Sequence, residues 1–151
     1  MSSSKSRPLI AVAQLCSTSN VEENFKVVSS LIKEICTTHR NNVSMIFLPE
    51  NFAFVGDGVT KSYDIADESL SNCPLLTKYA SLAKGHKVWL SLGGFPLKSL
   101  ESQPSQKTEP QKTYNTHIIV NSSGIIVSVY QKLHLFDVDI KNQITIKGLC
   151  L

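Results

Sequence analysis

Two short apolar runs on either side of an amphipathic segment constrain the fold of this chain more than any other feature. Residues 9–13 form the first run, directly after a proline, and residues 43–48 form the second, which Pro49 ends. Continuous apolar runs of this length are typical of strands that are buried on both faces of a sheet. The sequence therefore predicts a strand–helix–strand unit at the start of the chain.

The segment between the two runs has the pattern of a helix that packs on a core. Its apolar residues recur at helical spacing, and charged residues occupy the opposite face. The apolar set is Val21, Phe25, Val28, Leu31, Ile32 and Ile35. Ser19 and Glu22 have the spacing of a capping box, which predicts the first turn of the helix here. The polar stretch 37–42 predicts its end.

A second helix and a third strand are predicted further along the chain. Pro74 opens the helix, and Gly85 is placed where a helix end favours a residue with positive φ. The strand follows directly over residues 88–92 and is predicted to end at Gly93 and Gly94.

A β-hairpin and three irregular stretches complete the predicted pattern. Residues 116–121 and 125–130 flank a Ser-Ser-Gly turn, which is typical of two antiparallel strands. Residues 51–71 and 98–112 have no steady period and are predicted to be loops, the first long enough for a functional role. Residues 132–151 show no helix signal. The whole order predicts a layered α/β fold with a mixed sheet.

Composition excludes several classes of protein. With 15 basic and 12 acidic residues, the net charge of +3 is too small and too scattered for a nucleic-acid surface. No apolar run approaches the roughly 18 residues that span a bilayer, so no membrane partner is expected. The 4 cysteines lack C-x-x-C spacing and the 4 histidines are widely separated, which predicts neither a metal site nor a disulfide framework.

The N-terminal residues bear on location and on domain limits. Residues 1–8 are predicted to be a flexible tail, and residues 9–151 a single domain. The tail has Lys5 and Arg7 but no acid and no apolar stretch, so it is not a secretory signal, whereas a short transit peptide stays open. Because cysteine usage favours a reducing compartment, we expect a cytoplasmic protein, with a mitochondrial location as the alternative.

Glu50 and Lys132 are the candidate catalytic residues. Glu50 follows the second predicted strand, at the edge where α/β sheets bind ligands, and a carboxylate there can act as a general base. Lys132 follows the hairpin, and an ammonium beside apolar groups can stabilise an oxyanion. Position alone favours a solvated surface residue in both cases. Cys16 and Cys150 are interpreted as inert, because a reactive thiol needs a preorganised electropositive pocket.

The familiar hydrolase and nucleotide-binding motifs are absent from the sequence. It contains no G-x-S-x-G, no G-x-x-x-x-G-K and no H-E-x-x-H, which counts against serine hydrolases, P-loop proteins and zinc peptidases. The pair Gly93 and Gly94 lacks the spacing of a dinucleotide fingerprint. A nucleotide-binding α/β domain therefore remains only a minor alternative.

Five short segments resemble successive motifs of the nitrilase, or carbon–nitrogen hydrolase, superfamily. In chain order they are residues 48–54, 89–95, 114–117, 121–124 and 130–135. The second and third are most similar to the deaminated-glutathione amidases, and the stretch 132–137 is shared with the ω-amidases. The resemblance implies an αββα sandwich with a mixed β-sheet, of which this chain covers about the N-terminal half. It also implies an amidase that needs no cofactor and acts on the amide of a small carboxylate such as deaminated glutathione.

The resemblance also assigns roles to the two candidate residues. In this superfamily a glutamate acts as general base, a lysine supports the oxyanion, and a cysteine attacks the amide carbon to give a thioester that water cleaves. Glu50 matches the base and Lys132 matches the lysine. The family's cysteine motif follows the lysine, and neither it nor a further glutamate has a match between Lys132 and Leu151. We therefore assign no nucleophile in this chain and expect residues 9–151 to form a partial carbon–nitrogen hydrolase domain.

The expected partner is a small-molecule amide substrate, and association into a homo-oligomer is kept open. Apolar faces of a partial domain would favour self-association or poor solubility. Two alternatives to the amidase interpretation also stay open. One is a different amidase such as an ω-amidase, and the other is a catalytically inactive fragment that acts as an interaction or decoy protein.

Overall fold

Strands and helices follow the predicted order along the chain. The structure, a computed structural model, describes residues 7–39, 42–55, 66, 69–98, 113–134, 138–140 and 144–146. In chain order the elements are β1 (Leu9–Val12), α1 (Val21–Thr38), β2 (Val43–Leu48), α2 (Pro74–His86), β3 (Trp89–Leu97), β4 (Tyr114–Val120), β5 (Ile126–Gln131), β6 (Val138–Ile140) and β7 (Ile144–Ile146). The predicted strand–helix–strand start and the second helix are confirmed.

Strands β1 to β5 form one mixed sheet in the order β1-β2-β3-β4-β5. The first three strands are parallel, and β4 and β5 are added to them as an antiparallel hairpin. Gly124 adopts φ +79° in the hairpin turn, a left-handed conformation that costs glycine little. Strands β6 and β7 pair with each other within the stretch 132–151. The mixed sheet and the hairpin that the sequence predicts are confirmed.

Helix α1 begins at a different cap from the predicted one. Asn20 is the N-cap, and its side-chain oxygen accepts the backbone N–H of Glu23 at 3.1 Å. The prediction of a capping box formed by Ser19 and Glu22 is therefore wrong, because the N-cap lies one residue later. Ser and Asn are both strongly preferred N-caps, so residue preference alone does not distinguish these two neighbouring positions.

Helix α2 ends through a buried contact and not at its glycine. The left-handed residue is Lys87, with φ 54°, whereas Gly85 lies inside the helix. The backbone N–H of Val88 donates to the carbonyl oxygen of Ala83 at 3.1 Å, and the side chain of Val88 is fully buried. The predicted role of Gly85 is therefore wrong, because this Schellman-type contact decides where the helix ends.

Helices α1 and α2 cover one face of the sheet and enclose the core with it. The buried residues of the two helices and the facing strands include Val28, Ile32, Cys36, Ile46, Leu48, Leu76, Tyr79, Ala83, Leu90, Leu92, Ile118 and Val120. Alternate strand residues enter this core because successive side chains of a strand point to opposite faces. Phe52, just beyond β2, packs against Tyr79 and Phe95 with ring centroids 5.1 and 6.0 Å away.

Strand β1 lies at the edge of the sheet, and its side chains are largely exposed. Ile10 and Val12, on the face away from the helices, are 67% and 79% exposed. The prediction that this apolar run is buried on both faces is wrong, because the core packs against Ala11 on one face while Ile10 and Val12 on the other face stay exposed. An apolar pattern identifies a strand, but it does not specify the neighbours that bury it.

Strand β3 runs through the two glycines at which it was predicted to end. It continues to Leu97, and its register with β4 shifts between Leu92 and Phe95. Gly94 lies in this irregularity with φ +59°. A bulge redirects a strand without ending it, so the glycines mark a local break in pairing.

Several sequence predictions fall wholly or partly outside the described residues. These are most of the loops 51–71 and 98–112, residues 1–6 of the predicted tail, and Cys150. Neither of the two helices described above has the length and apolarity that a membrane span needs. Within the described ranges, no three potential metal ligands of the His, Cys, Asp or Glu type come together.

Candidate active site

Glu50 lies in the turn that follows β2. Pro49 has no backbone N–H and ends the strand, and Asn51 adopts a left-handed conformation with φ 59°. The chain then turns back into the core, where Phe52 and Ala53 are 0% and 1% exposed. The side chain of Glu50 thus stays at the surface, 51% exposed, while the backbone after it is anchored in the core.

A buried asparagine braces this turn from the side of α1. The side-chain amide of Asn24 donates to the carbonyl oxygens of Thr18 and Ala53 at 2.8 and 3.0 Å. Its side-chain oxygen accepts the backbone N–H of Thr18 at 2.9 Å. The hydroxyl of Ser17 donates to the carbonyl oxygen of Phe52 at 3.1 Å. The loop between β1 and α1 therefore holds the segment that carries Glu50.

The sheet brings two further side chains to Glu50. The backbone N–H of Lys132 continues the β5 ladder by donating to the carbonyl oxygen of Asn115 at 2.9 Å. From there the ammonium of Lys132 reaches Oε1 of Glu50 at 2.9 Å. The side-chain amide of Asn115 donates to the same oxygen at 2.6 Å. The ends of β2 and β5 and the start of β4 thus meet in one cluster.

The electrostatics of this cluster favour an ionised carboxylate. The hydrogen bond from Lys132 holds the pKa of Glu50 below its usual value, aided by the hydrogen bond from Asn115 and the charge of Lys132, while partial burial opposes the shift. Both hydrogen bonds use Oε1, and among the described residues Oε2 has no partner. Glu50 is therefore a carboxylate with one oxygen held in place and one oxygen available to take a proton.

Two glycines of β3 pack against the turn more closely than any side chain would allow. A Cβ on Gly94 would lie 2.7 Å from Cγ of Glu50 and 3.1 Å from Oδ1 of Asn115. A Cβ on Gly93 would lie 2.8 Å from the carbonyl oxygen of Leu48. The bulge in β3 thus fits its bare backbone against Glu50 and fixes the position of the carboxylate.

Replacement of Gly94 by alanine is expected to destabilise the protein by about 1–3 kcal/mol, because the new Cβ meets Glu50 in a backbone conformation with positive φ. Gly85→Ala is the matched control, since a Cβ there meets nothing within 4 Å inside a helix, and it should stabilise by about 0.5–1 kcal/mol. Urea denaturation measures both changes. Equal tolerance of the two substitutions would contradict the close packing at Gly94.

The cluster lines an open cleft of about 390 Å³. Its lining residues are Leu48, Glu50, Gly93, Gly94, Asn115, His117, Tyr130 and Lys132. Cys16, Cys36 and Cys73, the cysteines within the described part of the chain, do not line it. The cleft thus presents a carboxylate, an ammonium and an amide donor to a small ligand.

A model of the carbon–nitrogen hydrolase family matches residues 9–147. The chain belongs to this family. Among relatives of this carbon–nitrogen hydrolase chain, deaminated glutathione amidase of Dictyostelium discoideum is 38% identical over 136 residues, which cover 89% of the chain and 44% of that protein. The protein of the same name from Mus musculus is 40% identical over 145 residues, which cover 95% of the chain and 42% of that protein. The chain therefore spans less than half the length of these relatives.

Solved structures confirm the fold of the carbon–nitrogen hydrolase chain. The crystal structure of the Caenorhabditis elegans NitFhit protein has a TM-score of 0.71 and 33% identity, and the match covers 91% of this chain and 30% of that one. Saccharomyces cerevisiae Nit3, a member of branch 10 of the nitrilase superfamily, has a TM-score of 0.68 at 22% identity, covering 83% and 44% of the two chains. The second likeness shows a shared fold alone.

The structure of this family member brings together the two residues singled out in the sequence. Glu50 and Lys132 form an ion pair, although position alone favoured solvated residues for both. Sequence reasoning gave no role in the candidate site to Gly94, Asn115, His117 or Tyr130, which also line the cleft. The available signal was that all four lie within segments that resemble family motifs.

Proposed function

We propose that this chain supplies the base and the oxyanion-binding side chains of an amidase that acts on the amide of a small carboxylate such as deaminated glutathione. The observation that carries the proposal is the cluster at Oε1 of Glu50, which Lys132 and Asn115 contact at 2.9 and 2.6 Å. Support also comes from the relatives named deaminated glutathione amidase.

The geometry suits the two roles that this chemistry requires. Glu50, through its free Oε2, takes the proton of the attacking thiol, and the thiolate adds to the amide carbon. Lys132 uses one N–H on Glu50 and keeps two for the oxygen that becomes negative in the tetrahedral intermediate. Glu50 returns the proton to the leaving amine, and then activates water to cleave the thioester. None of the cysteines in the described part of the chain lines the cleft, so the proposal takes the thiol from a residue other than these.

Replacement of Lys132 by methionine tests the proposal. We expect the turnover number on deaminated glutathione to fall by a factor on the order of 10²–10³, the usual cost of losing one oxyanion donor. The assay uses protein purified from its own cells through an affinity tag and follows release of the amine product. Lys33→Met, on the exposed side of α1, is the matched control and should retain full turnover.

The same variant is expected to shift the pH dependence. The proposed base works as a carboxylate, so activity falls as the pH drops through the pKa of Glu50. Because Lys132 lowers that pKa, its removal should move the acid limb of kcat/KM to higher pH. Wild-type turnover in Lys132→Met, or an acid limb that stays in place, would contradict the proposed roles.

A further inference from the structure

A second pair of polar side chains lies along the same cleft, away from Glu50. His117 and Tyr130 both line the cleft and face each other across the β4–β5 ladder. Directly opposed residues have Cβ atoms about 4.5–5.5 Å apart. His117 comes two residues after Asn115, and Tyr130 two residues before Lys132. Two residues of a strand span about 7 Å, so His117 and Tyr130 lie about 7 Å along their strands from the residues that contact Glu50.

Ser91 fixes the imidazole ring of this pair. Its hydroxyl lies 2.8 Å from Nε2 of His117, and Ser91 is only 1% exposed. Because Nε2 is hydrogen-bonded to Ser91, Nδ1 is the ring nitrogen left for a ligand, and it has no partner among the described residues. The hydroxyl of Ser91 can donate to Nε2 or accept from it, so a carboxylate at Nδ1 selects the ring form in which Nδ1 carries a proton. A buried serine thus orients the ring and leaves Nδ1 for a ligand.

We propose that His117 and Tyr130 form a carboxylate-binding subsite for the non-reacting end of the substrate. The proposal rests on the amidase function proposed above, because it places the reacting amide at Glu50 and Lys132. Nδ1 of His117 and the hydroxyl of Tyr130 belong to two opposed residues that line the same cleft, and together they can donate to the two oxygens of a carboxylate. The hydroxyl of Tyr130 has no other partner in the part of the chain that the structure describes.

The arrangement of charges also sets the direction in which the substrate binds. Glu50, the carboxylate among the lining residues, has its charge balanced by Lys132, whereas His117 and Tyr130 lie two residues away along β4 and β5 and face no acid among the lining residues. A carboxylate placed beside Glu50 would face a like charge, whereas an amide there meets a base and an ammonium. The cleft therefore fits a monoamide of a short dicarboxylate, with the free carboxylate about 7 Å from the ion pair.

Binding of glutaramate, the anionic monoamide of a five-carbon dicarboxylate, tests the subsite directly. Glutaramide, the neutral diamide of the same length, differs from it only at the far end. Both are titrated in the Lys132→Met protein, which keeps the charge of Glu50, removes the competing ammonium and slows hydrolysis, and binding is followed by NMR of ¹⁵N-labelled histidine side chains. We expect glutaramate to bind about tenfold more tightly and to shift the Nδ1 resonance of His117, while His86 on α2 stays unchanged.

Three substitutions locate the preference. His117→Ala and Ser91→Ala are each expected to reduce the tenfold preference for glutaramate to about twofold or less, with glutaramide binding unchanged. Tyr130→Phe removes only the hydroxyl and keeps the aromatic ring, and it should also reduce the preference for glutaramate. This variant keeps the test valid if His117→Ala or Ser91→Ala fails to fold. Ser128→Ala is the matched control, because Ser128 is exposed on the same face of β5 and does not line the cleft.

The outcomes separate the subsite from the proposed function. A preference for glutaramate that survives in both His117→Ala and Tyr130→Phe overturns the subsite, whatever the turnover. So does a His117 resonance that responds equally to glutaramide. If the preference depends on His117 while the wild-type protein releases no amine from either compound or from deaminated glutathione, the subsite stands and the amidase proposal fails.

Discussion

Replacement of Glu50 by glutamine is expected to lower the turnover number by a factor on the order of 10²–10⁴, the usual contribution of a general base. Glutamine keeps the oxygen that Lys132 and Asn115 contact at 2.9 and 2.6 Å, but it cannot take up the proton of a thiol. The free energy of unfolding should change by less than about 1 kcal/mol, because the side chain is 51% exposed and exposed ion pairs contribute little. The expected loss is therefore chemical and not structural.

The measurement compares steady-state release of the amine product with urea denaturation of the same samples. Glu34→Gln is the matched control, since Glu34 is exposed on α1 and lies outside the cleft lining. It should leave both turnover and unfolding unchanged. Full turnover in Glu50→Gln would remove Glu50 from the chemistry, and a large loss of stability would mean that the turn depends on the charge.

Replacement of Phe52 by alanine is expected to lower the free energy of unfolding by about 3–5 kcal/mol. The ring is fully buried and packs against Tyr79 and Phe95 at 5.1 and 6.0 Å between centroids. Its removal leaves a cavity beneath the turn that carries Glu50. We therefore expect turnover to fall as well, because the carboxylate loses the anchor that holds it near Lys132.

Two variants distinguish this cavity effect from general damage to the turn. Val55→Ala trims a side chain that is 44% exposed, three residues further along, and should cost less than about 1 kcal/mol. Phe52→Leu refills most of the space and should recover most of the stability and turnover. Chemical denaturation and the amine-release assay measure all three proteins. A Phe52→Ala protein as stable as Val55→Ala would mean that the ring is not an anchor.

Helices and strands whose apolar residues recur at a regular spacing could be predicted from the sequence. The burial of these elements and the points at which they end could not. Helix α1 has an apolar stripe over several turns, which no strand pattern imitates. The exposure of β1 depends on what packs on each of its two faces, and that is decided by residues far away in the chain. Tertiary contacts decide the end of α2, through the burial of Val88, and the bulge inside β3, through the packing of Gly94 on Glu50.

In the candidate site, too, some residues could be identified from the sequence, but the contacts between them could not. Glu50 and Lys132 were identifiable because they lie in segments with a family resemblance, whereas their positions alone favoured solvated residues. Asn115 holds Glu50 through its side chain and Lys132 through its backbone, a role that exists only once β4 and β5 are in register. The pairing of Ser91 with His117 likewise joins residues from two strands. Sequence patterns within one segment carry no information on such contacts.

The distance along the chain between Glu50 and Lys132 has a consequence for synthesis. The two residues are 82 positions apart, and the carboxylate gains its ammonium only after the β4–β5 hairpin has joined β3. On a growing nascent chain, Glu50 leaves the ribosome long before Lys132 has been made. Until then it is an ordinary solvated glutamate, with the pKa of an unfolded chain. A translation product that ends between Glu50 and Lys132 therefore carries the glutamate without its ammonium, and the ion pair forms only after the hairpin is complete.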